Sequence, residues 1–139
     1  ARPLPPQVMP RLGGLGQRAI VRAELTDSGL TVASAHLYGI HLLLRPAPRA
    51  WLKERAELRL AASANDIVAG DLNMWSLVVH RDTRPLRPAV RGRTYNSKRP
   101  HSQIDHVLLN DRVEVMASEV LPDMGSDHRA IRATLQKRS

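Results

Sequence analysis

The sequence contains no cysteine and no phenylalanine, and its only other aromatic carbocycles are Tyr38, Trp51, Trp75 and Tyr95. Without cysteine there is no disulfide, no thiolate nucleophile and no thiolate-held zinc. With so few rings, Leu, Val, Ile and Ala must fill the core. Acid is scarce as well: 13 Asp and Glu stand against 21 Lys and Arg, for a net charge of +8. No apolar run approaches the roughly 20 residues of a membrane span. No apolar stretch follows the first basic residues, so a signal peptide is not expected. The compartment stays open, with the cytoplasm favoured.

What is present suits a folded chain. At 139 residues and 42% hydrophobic, it has the length of one domain or of a piece of a larger one. A compact chain of this size buries about two-thirds of its unfolded surface. Plentiful, evenly spread aliphatic residues exclude collagen and intrinsic disorder. Eighteen of the 21 basic residues are arginine, whose planar fork grips phosphate oxygens two at a time. That balance points to phosphate-rich partners, nucleic acid or anionic headgroups.

Residues 1–17 read as an irregular lead-in, with four prolines and then Gly13-Gly14-Leu15-Gly16. That glycine cluster lacks the Lys-Ser/Thr of a phosphate-cradling loop and is expected to be a connector. The alternation at 18–25, a Thr26-Asp27-Ser28-Gly29 turn and a second alternating run at 30–37 predict a hairpin. Trp51, Leu52, Arg55, Leu58 and Ala62 recur at helical spacing, and Pro48 suits a first turn, so a helix is predicted over 48–64. A short buried strand follows at 66–71. The stretch 76–100 reads as a loop, and from Arg81 to Arg99 it carries seven basic residues against one acid, Asp82. Strands resume near 103–109, 112–120 and 129–135. The order predicts an α/β or α+β layer fold with one main helix.

Three clusters place acids and histidines where such elements end: Gly70-Asp71-Leu72-Asn73, Gln103-Ile104-Asp105-His106 and Ser126-Asp127-His128. Phosphodiester hydrolysis needs an oriented, deprotonated water, a neutralised phosphoryl group and a stabilised leaving oxygen. Asp71 and Asn73, two apart around a turn, can aim a carboxylate and an amide at one water or phosphate. Asp105 can pair with an imidazole and keep it cationic, with His128 as its natural partner. Asp127 is a candidate metal ligand, with Asp71 as a second, because Mg²⁺ takes few carboxylates and keeps several waters. Ser126, Asp127 and His128 are sequence neighbours, which is the wrong geometry for a nucleophilic triad. His36 and His41 lack a third zinc ligand at suitable spacing. His41, His80, His101 and His106 are given no catalytic role, and Trp51 and Trp75 are read as core or rim.

These motifs, Ala69-Gly70-Asp71-Leu72-Asn73, Ser102-Gln103-Ile104-Asp105-His106 and Gly125-Ser126-Asp127-His128, resemble those of the endonuclease/exonuclease/phosphatase superfamily. Ser34-Ala35-His36-Leu37 resembles its strand-end histidine, and Arg55 its Arg-bearing helix. Each motif alone recurs by chance; four in the family's order, over about residues 18–136, carry the resemblance. It implies a four-layer α/β/β/α sandwich with mostly antiparallel mixed sheets. It also implies Mg²⁺, or Mn²⁺, as cofactor and phosphate esters as substrates.

Carried over, the resemblance gives Asp71 the attacking water and Asn73 that water or the phosphate. Asp105 would orient His128 on the scissile phosphate, Asp127 would support metal, and His36 would contact phosphate or assist the leaving group. Arg91, Arg93, Lys98 and Arg99 are expected to meet the phosphate backbone. Members are about twice this long and carry a strand-end Asn and a metal-binding Glu in their first half. Neither has a counterpart here, so residues 18–139 look like the C-terminal half. A fragment, a shortened homologue, or a half that completes itself as a homodimer all fit. The function expected is Mg²⁺-dependent hydrolysis of nucleic-acid phosphodiesters. The alternatives are a catalytically incomplete polyanion-binding module, or a phosphatase or phosphodiesterase acting on a lipid or inositol phosphate.

Overall fold

The computed structural model describes residues 1–11, 16–42 and 48–139. Residues Gly13 to Leu15 of the glycine cluster lie outside the described residues. The chain forms β1 (Arg2–Val8), β2 (Ala19–Leu25), β3 (Leu30–Ser34), a 3-10 turn (Gly39–Leu42), α1 (Pro48–Ala64) and β4 (Ile67–Asp71). These are followed by α2 (Ser76–Asp82), β5 (Arg87–Pro88), β6 (Asp105–Leu109), β7 (Val113–Val120) and β8 (Ile131–Lys137). Six strands make one sheet in the order β1-β2-β3-β4-β6-β5, and β7-β8 make a second. Every pair is antiparallel except β3–β4. That parallel pair needs a long crossover, which α1 supplies. The fold is mixed α/β, and among the described residues no helix is long and apolar enough to cross a membrane.

Period-two alternation gives the main sheet two buried faces. Ala33, Val68 and Leu108 turn to one side and pack with Trp51, Leu58, Ala61 and Ala62 of α1. Leu30, Ile67 and Leu109 turn to the other and pack with Val113, Val120, Ile131, Ala133 and Leu135 from the β7–β8 hairpin. The layers are therefore helices, six-stranded sheet and two-stranded sheet. The β7–β8 hairpin thus packs on the sheet face opposite α1.

Three readings of the sequence are corrected. Residues 2–8 form a strand, not an irregular lead-in. A sheet edge tolerates proline because its outward N–H groups have no ladder partner, and the β1–β2 register slips between Leu4 and Gln7, where Pro5 and Pro6 sit. The stretch 76–100 is not all loop: α2 forms there because Val79 enters the core and Asp82 caps an ion-pair network with Arg55 and Arg59. The buried stripe of α1 is also rotated from the predicted one. Leu52 is 55% exposed, whereas Glu54 is buried. Glu54 faces inward because its carboxylate accepts the backbone N–H of Tyr38 at 2.7 Å and of Gly39 at 2.8 Å. Two such bonds offset the cost of burying a carboxylate, although burial still holds the Glu54 pKa above its usual range.

Candidate active site

Because β3 and β4 run parallel, their carboxyl ends emerge together and deliver His36 and Asp71 to the same end of the sheet. Asp105 opens β6, antiparallel to β4, directly across from Asp71. His128 arrives from the β7–β8 connection and bridges to Tyr95. Residues far apart in sequence thus converge by strand register alone.

Two glycines allow this convergence. At Gly70, φ is +138° and a Cβ would sit 2.0 Å from the Ala35 carbonyl oxygen. At Gly39, φ is +52° and a Cβ would sit 2.0 Å from the Asn73 carbonyl oxygen. The close approach lets the Leu37 N–H donate to the Asp71 carbonyl at 3.0 Å and the Ile40 N–H to the Asn73 carbonyl at 2.8 Å. The segment bearing His36 is thereby fixed to the turn bearing Asp71 and Asn73. The Arg18 guanidinium adds a bond to the His36 carbonyl at 2.6 Å and lies over the Tyr38 ring at 3.7 Å. On the other side, Arg129 N–H donates to Thr94 O at 2.7 Å and Ser97 N–H to Asp127 O at 2.8 Å. The Arg129 Nε donates to Ser97 O at 2.8 Å. Residues 94–97 therefore grip the segment that carries His128.

Asp105 accepts from His128 Nδ1 with both oxygens, at 2.9 and 3.2 Å. This leaves His128 Nε2 aimed between Asp71 at 3.9 Å and Asp127 at 4.0 Å. Burial alone would lower the His128 pKa, but the Asp105 bond and the charges of Asp105, Asp71 and Asp127 lift it above its ordinary value. The imidazole therefore keeps its proton to higher pH than an ordinary histidine. Asp71 moves the opposite way for a carboxylate: burial raises its pKa, the Asn73 N–H bond opposes this, and the facing Asp105 charge adds to it. A carboxylate with raised proton affinity is a competent base.

Asn73 serves a different end from the one expected. Its backbone N–H donates to Asp71 Oδ1 at 2.9 Å, and its side-chain amide donates to Leu37 O at 3.0 Å and Asp71 Oδ2 at 3.1 Å. Both amide hydrogens are spent on the protein, so Asn73, at φ +49°, positions Asp71. His36 Nε2 stands 3.6 Å from Asp71 Oδ2.

These residues line a cavity of about 820 Å³, which also takes in Ile40, His41, Trp75, Tyr95, His101, Ser102 and Ile104. His36, Asp71, Asn73, Asp127 and His128 are brought together there; Asp105 stands behind His128. Arg91, Arg93, Lys98 and Arg99 do not line it, and Arg55 is committed to Asp82. His41 and His101, given no catalytic role from the sequence, Trp75, read there as core or rim, and Tyr95 all line the cavity; no spacing rule connects them. His106 belongs to the scaffold: it is buried against the Met74 carbonyl at 3.0 Å, and burial takes its pKa down to about 4.

The residues present fit a hard divalent cation. Among the described residues, ligand atoms of Asp71, Asp105 and His128 lie within 4.8 Å of one another, and carboxylate oxygens are the donors Mg²⁺ and Mn²⁺ prefer. Asp127 is outside that group and 73% exposed, against 15% for Asp105. With His128 Nδ1 engaged by Asp105, the carboxylate oxygens are the donors best suited to such an ion.

A family model described as the endonuclease/exonuclease/phosphatase family matches residues 2–128. The chain belongs to the endonuclease/exonuclease/phosphatase family. Its fold is shared with the 3′ phosphatase NExo from Neisseria, solved with a product DNA hairpin: TM-score 0.72 and 16% identity, over 96% of this chain and 71% of that one. D. rerio TDP2, complexed with single-strand DNA product, aligns at TM-score 0.63 and 14% identity, over 98% of this chain and 68% of that one. A mannosyl-6-phosphatase from Bacteroides thetaiotaomicron aligns at TM-score 0.58 and 15% identity, over 89% and 59%. At these identities the likeness is one of fold. No curated protein matches the chain in sequence. The chain spans between 59% and 71% of the length of these three family members.

Proposed function

We propose that this family member is a divalent-metal-dependent phosphoesterase that cleaves nucleic-acid phosphodiester bonds. The observation that carries the reading is the Asp105–His128–Asp71 arrangement: an imidazole fixed by Asp105 and a carboxylate 3.9 Å from it, both on one cavity. Asp71, held by Asn73, orients the attacking water and takes its proton. His128, kept protonated by Asp105, donates from Nε2 to a phosphoryl oxygen, a preorganised contact that strengthens as charge develops. His36, beside Asp71, contacts the phosphate or hands a proton to the leaving oxygen. Asp71 and Asp105, whose carboxylates face each other across the strand pair, would hold Mg²⁺ or Mn²⁺, with the exposed Asp127 in support; such an ion, when bound, would neutralise phosphoryl charge and steady the leaving oxygen. Arg91, Arg93, Lys98 and Arg99 lie outside the cavity lining and are placed in this reading on the flanking phosphate backbone.

The test is hydrolysis of labelled DNA and RNA oligonucleotides with Mg²⁺ by the wild type, Asp71→Ala and His128→Ala. Cleavage by the wild type that drops at least about a hundredfold in each variant is expected, the ordinary loss for a positioned acid or base. Cleavage that survives unchanged in both variants overturns the assignment.

A second reading, a polyanion-binding module without turnover, is favoured by one observation: the cavity lining contains no Glu. It requires salt-dependent nucleic-acid binding with no product at any Mg²⁺ or Mn²⁺ concentration.

A further inference from the structure

We propose that the cavity holds a base-binding subsite beside the phosphate position, so that the substrate is a nucleoside ester and not a sugar, inositol or lipid phosphate. The inference rests on the phosphoesterase reading and narrows its substrate.

The chain has four Trp and Tyr residues and six His. Six of these ten ring side chains line this one cavity. In a protein so short of rings, that concentration is a built feature and not an average surface. The arrangement begins at the site itself. The Tyr95 ring lies 5.0 Å from the His128 ring at 56° and 5.5 Å from the His101 ring at 84°. Imidazole, phenol and imidazole thus form a continuous run leading away from the phosphate position. The run is held by backbone: Tyr95 N–H donates to Ser102 O at 3.0 Å, and His101 and Ser102 N–H groups donate to Tyr95 O at 2.8 and 2.9 Å. Its rings are preorganised and lose little freedom on binding.

Trp75 is the second element. It is 48% exposed, although an indole is normally among the more buried side chains. Its backbone is fixed, since its carbonyl accepts the N–H groups of Val78 at 2.9 Å and Val79 at 3.1 Å at the start of α2. A large rigid ring kept at the mouth of a polar site offers a π-face, and every nucleobase has one.

The lining also argues against the other phosphate esters. A sugar or inositol is recognised by uncommitted hydrogen-bonding groups. Among the described residues, away from the acids, Asn73 and the histidines, the lining side chains that can hydrogen-bond are Tyr95, Ser102 and the Trp75 indole N–H, and Ser102 Oγ is already paired with His101 Nδ1 at 2.8 Å. An acyl chain would need a long aliphatic trough, and among the described residues Ile40 and Ile104 are the aliphatic side chains that line the cavity. The volume of about 820 Å³ lies in the range of roughly 300–1,000 Å³ typical of small-molecule sites and accommodates more than a phosphate.

The experiment is calorimetric titration of the full chain, with Mg²⁺, using thymidine 5′-monophosphate, ribose 5-phosphate, inositol 1-phosphate and inorganic phosphate. The nucleotide is expected to bind about tenfold more tightly than ribose 5-phosphate, the lower part of the range for one stacked base. Trp75→Ala and His101→Ala should each erase most of that advantage while phosphate affinity holds. Trp75→Phe, which keeps a ring, should retain most of it and guards against a folding defect. Equal affinity for the nucleotide and ribose 5-phosphate, or a preference unchanged in both alanine variants, overturns the base subsite alone. Failure to bind any of the four phosphates contradicts the phosphoesterase reading beneath it.

Discussion

Asp105→Asn isolates the electrostatic core of the account. Asp105 meets His128 Nδ1 with two oxygens, at 2.9 and 3.2 Å, and faces Asp71 across the strand pair. The asparagine keeps size and one acceptor but removes the charge. Two consequences follow for ionisation. The His128 pKa should fall from its raised position, because the charge and the charged bond of Asp105 are lost while burial still lowers it and only Asp71 and Asp127 still raise it. The Asp71 pKa should fall too, because one of its raising causes is the Asp105 charge.

Stability changes with a definite sign. A His whose folded pKa is raised contributes stability that is fully present below the unfolded value and is lost as pH rises through the folded one. The stability gap between wild type and Asp105→Asn should therefore be widest near pH 6 and narrow toward pH 9. A bond to a charged group is worth about 1.5–3 kcal/mol, and relief of the Asp71–Asp105 repulsion offsets part of it. A net loss of about 1–2 kcal/mol, or about 3–8 °C in Tm, is expected near pH 6. At neutral pH the imidazolium population falls, and kcat should drop by about 10²-fold or more. The assays are NMR titration of the His128 ring carbons, thermal melts across pH, and oligonucleotide hydrolysis. A His128 pKa no lower in the variant than in the wild type would refute the reasoning at its first step.

Three further outcomes follow. Asp71→Asn should abolish hydrolysis yet melt at or above the wild-type temperature near neutral pH, since burial and Asp105 both penalise the charged form; the gap should shrink as pH falls through the Asp71 pKa and the wild type becomes neutral there. Glu54→Ala leaves the buried Tyr38 and Gly39 N–H groups without acceptors and should cost about 2–5 kcal/mol, with Glu54→Gln, which keeps one acceptor oxygen, losing clearly less in chemical denaturation. Gly70→Ala must displace the Ala35 backbone and should cost about 3 kcal/mol or more, read as a fall in denaturation midpoint. An unchanged midpoint would show that the strands do not approach as described.

Much of the site was legible because its residues sit at the ends of short apolar strands, where pattern and punctuation are strong. Asp71, Asp105, His36 and His128 were all placed that way, and helix 48–64 has the bounds its periodicity and Pro48 suggested. The failures have physical causes. Proline argues against strand in general, but β1 is an edge where the missing N–H costs little. A helical stripe was read from Leu52, yet a polar residue can take the inward position when backbone donors await it, as they do for Glu54. The direct opposition of Asp71 and Asp105 is a register between segments 34 residues apart, and the ring cluster brings Tyr95 and His101 of the 95–102 segment to the same cavity as Trp75, twenty residues upstream of Tyr95. Neither property resides in any local window of sequence.

The most direct test of the central claim is single-turnover hydrolysis of a labelled oligonucleotide as a function of Mg²⁺, with chelator as the zero point, in wild type and His128→Ala. The account predicts a rate that is absent with chelator, saturates with Mg²⁺, and falls by about 10²-fold or more in the variant at every concentration. A rate that is indifferent to the metal, or equal in the two proteins, would contradict it.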